Sequence, residues 1–188
     1  MVRGFKSYAE TLAVQVREEM GIPAHARLCA FELTEFLGVP TLGFSALASN
    51  AEKFGVTEKQ FKALEKEVHG LCIPLGTGRA IIYNDSNHPA RQQSDIAHEA
   101  SHILLRHPLA DIVSGAVTQR SKELEDEAAH LGGTLLLPQP AALHVLEQGM
   151  TMDAAATKYG ISKEMVTYRC NVSGARQIHR RRTGSRGA

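Results

Sequence analysis

Over most of the chain, apolar residues recur every three or four positions, a helical period. Tyr8, Leu12, Val16 and Met20 fall four apart and predict a helix over 7–20, ended by Gly21-Ile22-Pro23. Leu28, Phe31, Leu33, Phe36 and Leu37 predict a second helix over 26–37, stopped by Gly38 and Pro40. Thr57 opens a capped helix that carries Phe61, Leu64 and Val68 on one face, and its charge run reads as a solvated face. The texture then changes. LCIPL (71–75) and RAIIY (79–83), joined by Gly76-Thr77-Gly78, predict a β-hairpin, followed by the loop Asn84–Pro89. Helical patterns return over 94–106, 121–137, 140–148 and 151–172. Helices, a short hairpin, then more helices describe an α+β single domain over 1–172, mostly helical, with 173–188 as a basic flexible tail.

Composition narrows the class without changing this outline. With 188 residues, 43% of them apolar and 22% charged, the chain suits one compact domain with its own core. The longest stretch without a charged residue, 128–146, contains Pro138, Pro140, Gly132 and Gly133, so it does not read as a membrane span. The N-terminus lacks the apolar run of a signal peptide. Cys29, Cys72 and Cys170 are odd in number and scattered, as expected of reduced thiols in a cytoplasmic protein. Charge is uneven. Past Glu164 there is no acidic residue but six arginines (169, 176, 180, 181, 182 and 186), so the first 164 residues carry 15 basic against 20 acidic groups. Any electrostatic attraction to nucleic acid belongs to 176–188.

The chemistry lies in His98-Glu99-Ala100-Ser101-His102, an HExxH. One helical turn separates the two histidines, so both imidazoles can bind one metal ion, and Glu99, about 100° round the helix, stands beside it as a general base. Ile96, Ala97, Ala100, Ile103 and Leu104 fall on the opposite side and form the face that enters a core. Ser94 is placed as an N-cap, with Asp95 at the positive helix end. A metzincin would need histidine at 108, where Pro108 stands, and His107 points away from the pair on a continued helix. The third ligand is sought on the helix over 121–137, whose apolar stripe is Leu124, Ala128, Leu131 and Leu135. Glu127 borders that stripe, Glu123 is its rival one turn earlier, and Glu125 and Asp126 lie further round towards solvent.

The stretch IIYNDSNHPARQQSDIAHEASHILLRH, followed by LEDEAAHLGGTLLLP, resembles the ImmA/IrrE family of metallopeptidases. Asn84, Arg91, His98, Glu99, His102, Glu127-Ala128, Leu135-Leu136 and Pro138 take the places of that family's pattern. AAATKYGISKEMVTYRC is similar to its closing segment, 45–69 has no clear counterpart and reads as an atypical helical insert, and Ala129 stands where the family has Asn or Asp. The resemblance implies a zincin-like domain with Zn2+ (or Mn2+) on His98, His102 and Glu127. It also implies cleavage of a protein substrate, a helix-turn-helix transcriptional repressor.

Smaller signals complete the reading. Tyr168, His130 and His69 are candidate donors to a tetrahedral oxyanion. RAIIY fits either an edge strand that pairs with an extended substrate or an ordinary core strand. Asn84 is placed to fix its loop by side-chain bonding, and Arg91 to tie that loop to a carboxylate. Gly132-Gly133 inside a helix implies close packing against the HExxH helix. Residues 151–172 also have the form of a helix-turn-helix, which with Arg169 and the Arg tail supports a rival reading as a DNA-binding or docking module without catalysis.

Overall fold

The computed structural model describes residues 1–48, 69–108, the short strands 112–113 and 116–117, and 121–184. The helix expected from Thr57 lies outside the described residues. In chain order the elements are α1 (Phe5–Glu19), α2 (Ala30–Phe36), β1 (Thr41–Gly43), α3 (Phe44–Ala48), β2 (Gly70–Leu75), β3 (Gly78–Tyr83) and α4 (Pro89–Leu104). They continue with β4 (Ile112–Val113), β5 (Ala116–Val117), α5 (Lys122–Leu136), α6 (Gln139–Glu147), α7 (Met152–Tyr159), α8 (Lys163–Val172) and α9 (Ala175–Gly184). The architecture is α+β: a helical body with one small three-stranded sheet, of order β1-β3-β2. Among the described residues no helix is long and apolar enough to cross a membrane, and the three cysteines are free.

β2 and β3 form the expected antiparallel hairpin, with Cys72 opposite Ile81 and Leu75 opposite Gly78. β1 then pairs parallel with β3, Thr41 opposite Ile81. β3 is therefore the central strand, and its role as an edge is ruled out. Its buried run Ala80-Ile81-Ile82 is what a strand covered on both sides requires. β1 was missed because Gly38 and Pro40 read only as the stop of the preceding helix.

The core is built where α4 and α5 cross, with α1 against α5 and α2 against α4. Ile96, Ala97 and Ala100 of α4 meet Leu131 and Leu135 of α5 in one cluster. α1 buries Phe5, Ala9, Ala13 and Val16; of the stripe predicted through Tyr8, Leu12, Val16 and Met20, Val16 is buried, Leu12 and Met20 pack partly buried against the core, and Tyr8 is exposed. Turning the helix by one position presents two alanines to its neighbour and so permits closer packing.

α4 begins earlier than predicted. Pro89 occupies the first helical position, His88 is the N-cap, and its Nδ1 accepts from the Ala90 amide at 3.2 Å. Ser94 is thus inside the helix, its hydroxyl donating to Ala90 O at 3.2 Å. Asp95 also lies away from the helix start; it pairs with Arg91 at 2.8 Å and accepts from Asn87 at 3.4 Å. Asn84 fixes the preceding loop through its Oδ1, which accepts from the Ser86 amide at 2.9 Å and its hydroxyl at 2.6 Å.

At the C-terminal end, α7 and α8 meet at Gly160, whose φ of 67 supplies the left-handed turn. Arg169 is fully buried, its Nε donating to Leu137 O at 2.9 Å and its Nη2 to Glu10 Oε1 at 2.5 Å. It is a structural tie and has no surface to offer DNA. The stretch expected as a flexible tail is helical over Ala175–Gly184 and packs on α6, with Ala175 buried.

Candidate metal centre

α4 fixes the two imidazoles by burying its back. Ile96, Ala97 and Ala100 are fully enclosed, so the opposite side carries His98 and His102 out of the core together. His102 is completely buried, His98 partly so, and their Nε2 atoms lie 3.2 Å apart. Two ring nitrogens turned towards each other at that distance suit a shared cation better than bulk solvent.

The acid that completes the group is Glu125. Its Oε2 lies 3.0 Å from His98 Nε2 and its Oε1 3.4 Å from His102 Nε2. Among the described residues, His98, His102 and Glu125 form the group of metal-capable side chains, their ligand atoms within 4.8 Å of one another. Two imidazole nitrogens and a carboxylate oxygen make a donor set that fits a divalent first-row metal.

The geometry of α5 explains why Glu125 rather than Glu127 arrives there. Gly132 is the contact point of α5 on α4: a Cβ at Gly132 would meet His98 N at 3.1 Å and Ala97 C and O at 3.2 Å. Seven residues bring a helix to within about 20° of the same direction, so Glu125 shares the face that Gly132 presses on α4. Two residues shift the direction by about 200°, which turns Glu123 and Glu127 away from that line. Glu123 is exposed, and Glu127 instead faces His107, its Oε2 3.7 Å from His107 Nε2 and its Oε1 accepting from the Val2 amide at 3.3 Å. In this geometry neither Glu127 nor Glu123 joins the two histidines, and Glu125 stands where the third ligand was expected. A signal was present in the sequence: the helical glycine marked the packed face. Of the glycine pair, only Gly132 packs against α4; Gly133 faces Met165 and Arg169 of α8.

Glu99 is buried on the flank of α4 beside the start of β2, and a Cβ on Gly70 would meet its Cγ at 3.3 Å. His69, the exposed residue preceding Gly70, is thus next in the chain to Glu99's neighbour. The other two donor candidates lie elsewhere. Tyr168 is exposed on α8. His130 is about 140° round α5 from Glu125 and packs edge-on against Phe5, with ring centroids 6.1 Å apart. Burial beside the Arg169 and Lys6 charges pushes His130 down to a pKa of about 4, so it is neutral.

His107 also reaches the centre, which the sequence did not foretell. A continued helix would have turned it away, but α4 stops at Leu104 and the chain reverses at Arg106. His107 Nδ1 comes to 2.9 Å from His102 Nδ1.

A model of the Peptidase M78 family, described as the IrrE N-terminal-like domain, matches residues 51–171. That span contains His98, Glu99, His102, His107 and Glu125, and it begins within the stretch set apart as an insert. No curated protein and no solved structure matches the chain. With the match covering well over half of its length, and with a histidine pair and a carboxylate converging inside it, this chain belongs to the M78 peptidase family and has a metallopeptidase-type function.

Proposed function

We propose that the protein is a zinc-dependent endopeptidase of the cytoplasm that hydrolyses one specific protein, a helix-turn-helix transcriptional repressor. The observation that carries the enzymatic part is the convergence of His98 Nε2, His102 Nε2 and the Glu125 carboxylate beside the buried Glu99. His98, His102 and Glu125 would hold the ion, Zn2+ by the character of the donors, with Mn2+ as the second choice. When bound, such an ion supplies Lewis-acid polarisation of the scissile carbonyl and acidifies water. The substrate class rests on the sequence resemblance, and the cytoplasmic setting on the three free cysteines.

Glu99 serves as the general base and acid. Its carboxylate takes a proton from the attacking water as the new C–O bond forms, then delivers that proton to the leaving amide nitrogen as the C–N bond breaks. Burial suits this role, because it shields the carboxylate from competing solvent. β2 is the outer strand on its side of the sheet among the described strands, and its first residue adjoins Glu99. An extended substrate segment laid along β2 would therefore reach Glu99, with backbone hydrogen bonds holding it.

The deciding experiment is Glu99→Gln. This variant should fold, retain Zn2+ and capture a repressor encoded beside this chain's gene without cutting it. Cleavage at the wild-type rate would remove Glu99 from the mechanism, and full Zn2+ binding by His98→Ala would remove the metal site.

A further inference from the structure

Just past α4 the backbone adopts a conformation that side-chain-bearing residues seldom take: Arg106 has φ 56, alone among the described non-glycine residues. It is the left-handed position of a Schellman closure. The His107 amide donates to His102 O at 2.9 Å and the Arg106 amide to Ile103 O at 3.0 Å. Glycine is the usual residue there, since the left-handed backbone crowds a side chain's Cβ against the neighbouring carbonyl. The reversal folds His107 beneath the last turn of α4, with its ring centroid 5.0 Å from that of His102. The contact that commonly seals such a closure is apolar. Here it joins two imidazoles, Nδ1 to Nδ1 at 2.9 Å, in a buried place.

A hydrogen bond between two Nδ1 atoms needs one of them to carry the proton. For His102 to offer its Nε2 lone pair, its own Nδ1 must be the donor and His107 Nδ1 the acceptor. Neutral His107 then carries its proton on Nε2, the atom that faces the Glu127 carboxylate at 3.7 Å. The negative charge of Glu127 favours that arrangement. Glu127 thus stands behind the centre rather than in it.

We propose that His107 is a positioning residue for metal binding, holding His102 in the ring orientation and tautomer that present Nε2 to the ion, with Glu127 setting the tautomer of His107. This rests on the reading of His98, His102 and Glu125 as the metal-holding set. Outer partners of ligating histidines commonly contribute 10–100-fold to metal affinity.

The test uses the full chain, stripped of metal, titrated with Zn2+ against a chromophoric chelator and separately with Co2+ to read its visible absorption. His107→Leu, which keeps bulk but removes the acceptor, should bind Zn2+ at least tenfold more weakly and shift the Co2+ spectrum. His107→Asn places Oδ1 where Nδ1 stood and should restore affinity to within a few-fold. Glu127→Gln should weaken binding less than His107→Leu does. If His107→Leu does not fold, His107→Ala is read in the same way. Wild-type affinity and spectrum in His107→Leu, or equal loss in the Asn and Leu variants, would overturn the proposal. His98→Ala separates the two readings: Zn2+ lost there but kept in His107→Leu sinks the positioning role alone, whereas Zn2+ kept in His98→Ala sinks the metal site itself.

Discussion

Gly132 and His98 meet backbone to backbone: a Cβ on Gly132 would stand 3.1 Å from the His98 amide nitrogen. Neither side of that contact is a flexible side chain, so a methyl group there must separate α4 from α5. Gly132→Ala should lower stability by about 1–3 kcal/mol through overpacking, even though alanine is intrinsically the better helix residue by about 1 kcal/mol. It should also carry Glu125 away from the histidines and weaken Zn2+ binding. Gly133→Ala is the internal control, because its Cβ would meet only the side-chain atoms of Met165 at 3.2 Å and Arg169 at 3.4 Å. Denaturant unfolding and Zn2+ titration of the two variants should show the larger loss, in both readings, at Gly132.

Gly70 tests the other flank. A valine there would press on the Glu99 Cγ, 3.3 Å from the position of its Cβ, and on Asp95. None of the three atoms nearest that Cβ belongs to either histidine or to Glu125. Gly70→Val should therefore reduce turnover, by on the order of tenfold or more, while Zn2+ affinity stays close to wild type; displacement of a reacting group by about 1 Å is enough for such a loss. Parallel activity and metal titrations distinguish this from general misfolding, which would reduce both.

What the sequence made legible follows from how local each determinant is. The hairpin and the HExxH helix are written in consecutive residues: LCIPL and RAIIY around a glycine turn, and two histidines one turn apart with alanines and isoleucines behind them. The third acid was not legible in the same way, because its direction depends on how α5 rolls against α4. The apolar stripe through Leu124, Ala128 and Leu131 suggested one roll, and the close approach at Gly132 imposes another. His107 was lost for a related reason. The wheel assumes that the helix continues, but the chain reverses at Arg106, where no glycine advertises the stop. Arg169 looked like a surface cation in a basic C-terminus and is instead fully buried, because the acid that pairs with it lies 159 positions away in α1.

That acid, Glu10, joins three segments. Its Oε1 accepts from Arg169 and its Oε2 from the Gln139 amide at 2.7 Å, at the start of α6, where Pro138 provides no side-chain cap. A carboxylate at that end of a helix is favoured by the helix dipole as well as by the hydrogen bond. Fully buried Arg17 also feels its charge. Glu10→Leu removes the partner of one buried guanidinium and weakens the surroundings of a second, so a loss of about 3–5 kcal/mol is expected. Glu10→Gln, which keeps the acceptor but not the charge, should fall between the two. Thermal unfolding of the metal-free proteins gives the ranking.

His130 sets an acid limb in the stability profile. Its pKa falls from the ordinary 6.5 to about 4 on folding, because burial and the nearby Arg169 and Lys6 charges disfavour its protonated form. Between these values the unfolded chain binds the proton and the folded one does not, so stability must decline as pH drops from 6.5 towards 4. Above 6.5 the contribution is fully present. A shift of this size corresponds to about 3 kcal/mol. Replacing His130 with leucine should flatten that limb between pH 4 and 6.5 in chemical unfolding, leaving the neutral-pH region shaped as before. A limb of undiminished slope would assign it to other groups.

Three glutamates of α5 make the most direct test of the centre, because they sit on one helix within five residues and differ mainly in direction. Glu125 touches both histidines, Glu127 touches His107, and Glu123 is exposed. Removing a charge should therefore matter in that order. Glu125→Gln leaves two imidazoles and an amide, a set that binds divalent ions poorly, so Zn2+ affinity should fall by at least a hundredfold and activity with it. Glu127→Gln should reduce affinity by less, through His107, and Glu123→Gln should leave both unchanged. Stability points the same way. In the metal-free protein, Glu125 lies against His98 and His102, and Glu125→Gln removes an ion pair that forms when either imidazole is protonated. Zn2+ should raise the unfolding temperature of the wild type and of Glu123→Gln by similar amounts, that of Glu127→Gln by less, and that of Glu125→Gln hardly at all, since stabilisation by a ligand follows its affinity for the folded state. A profile in which Glu127→Gln alone loses the Zn2+ shift would return the third ligand to the position the sequence favoured and require α5 to roll by about half a turn when metal binds.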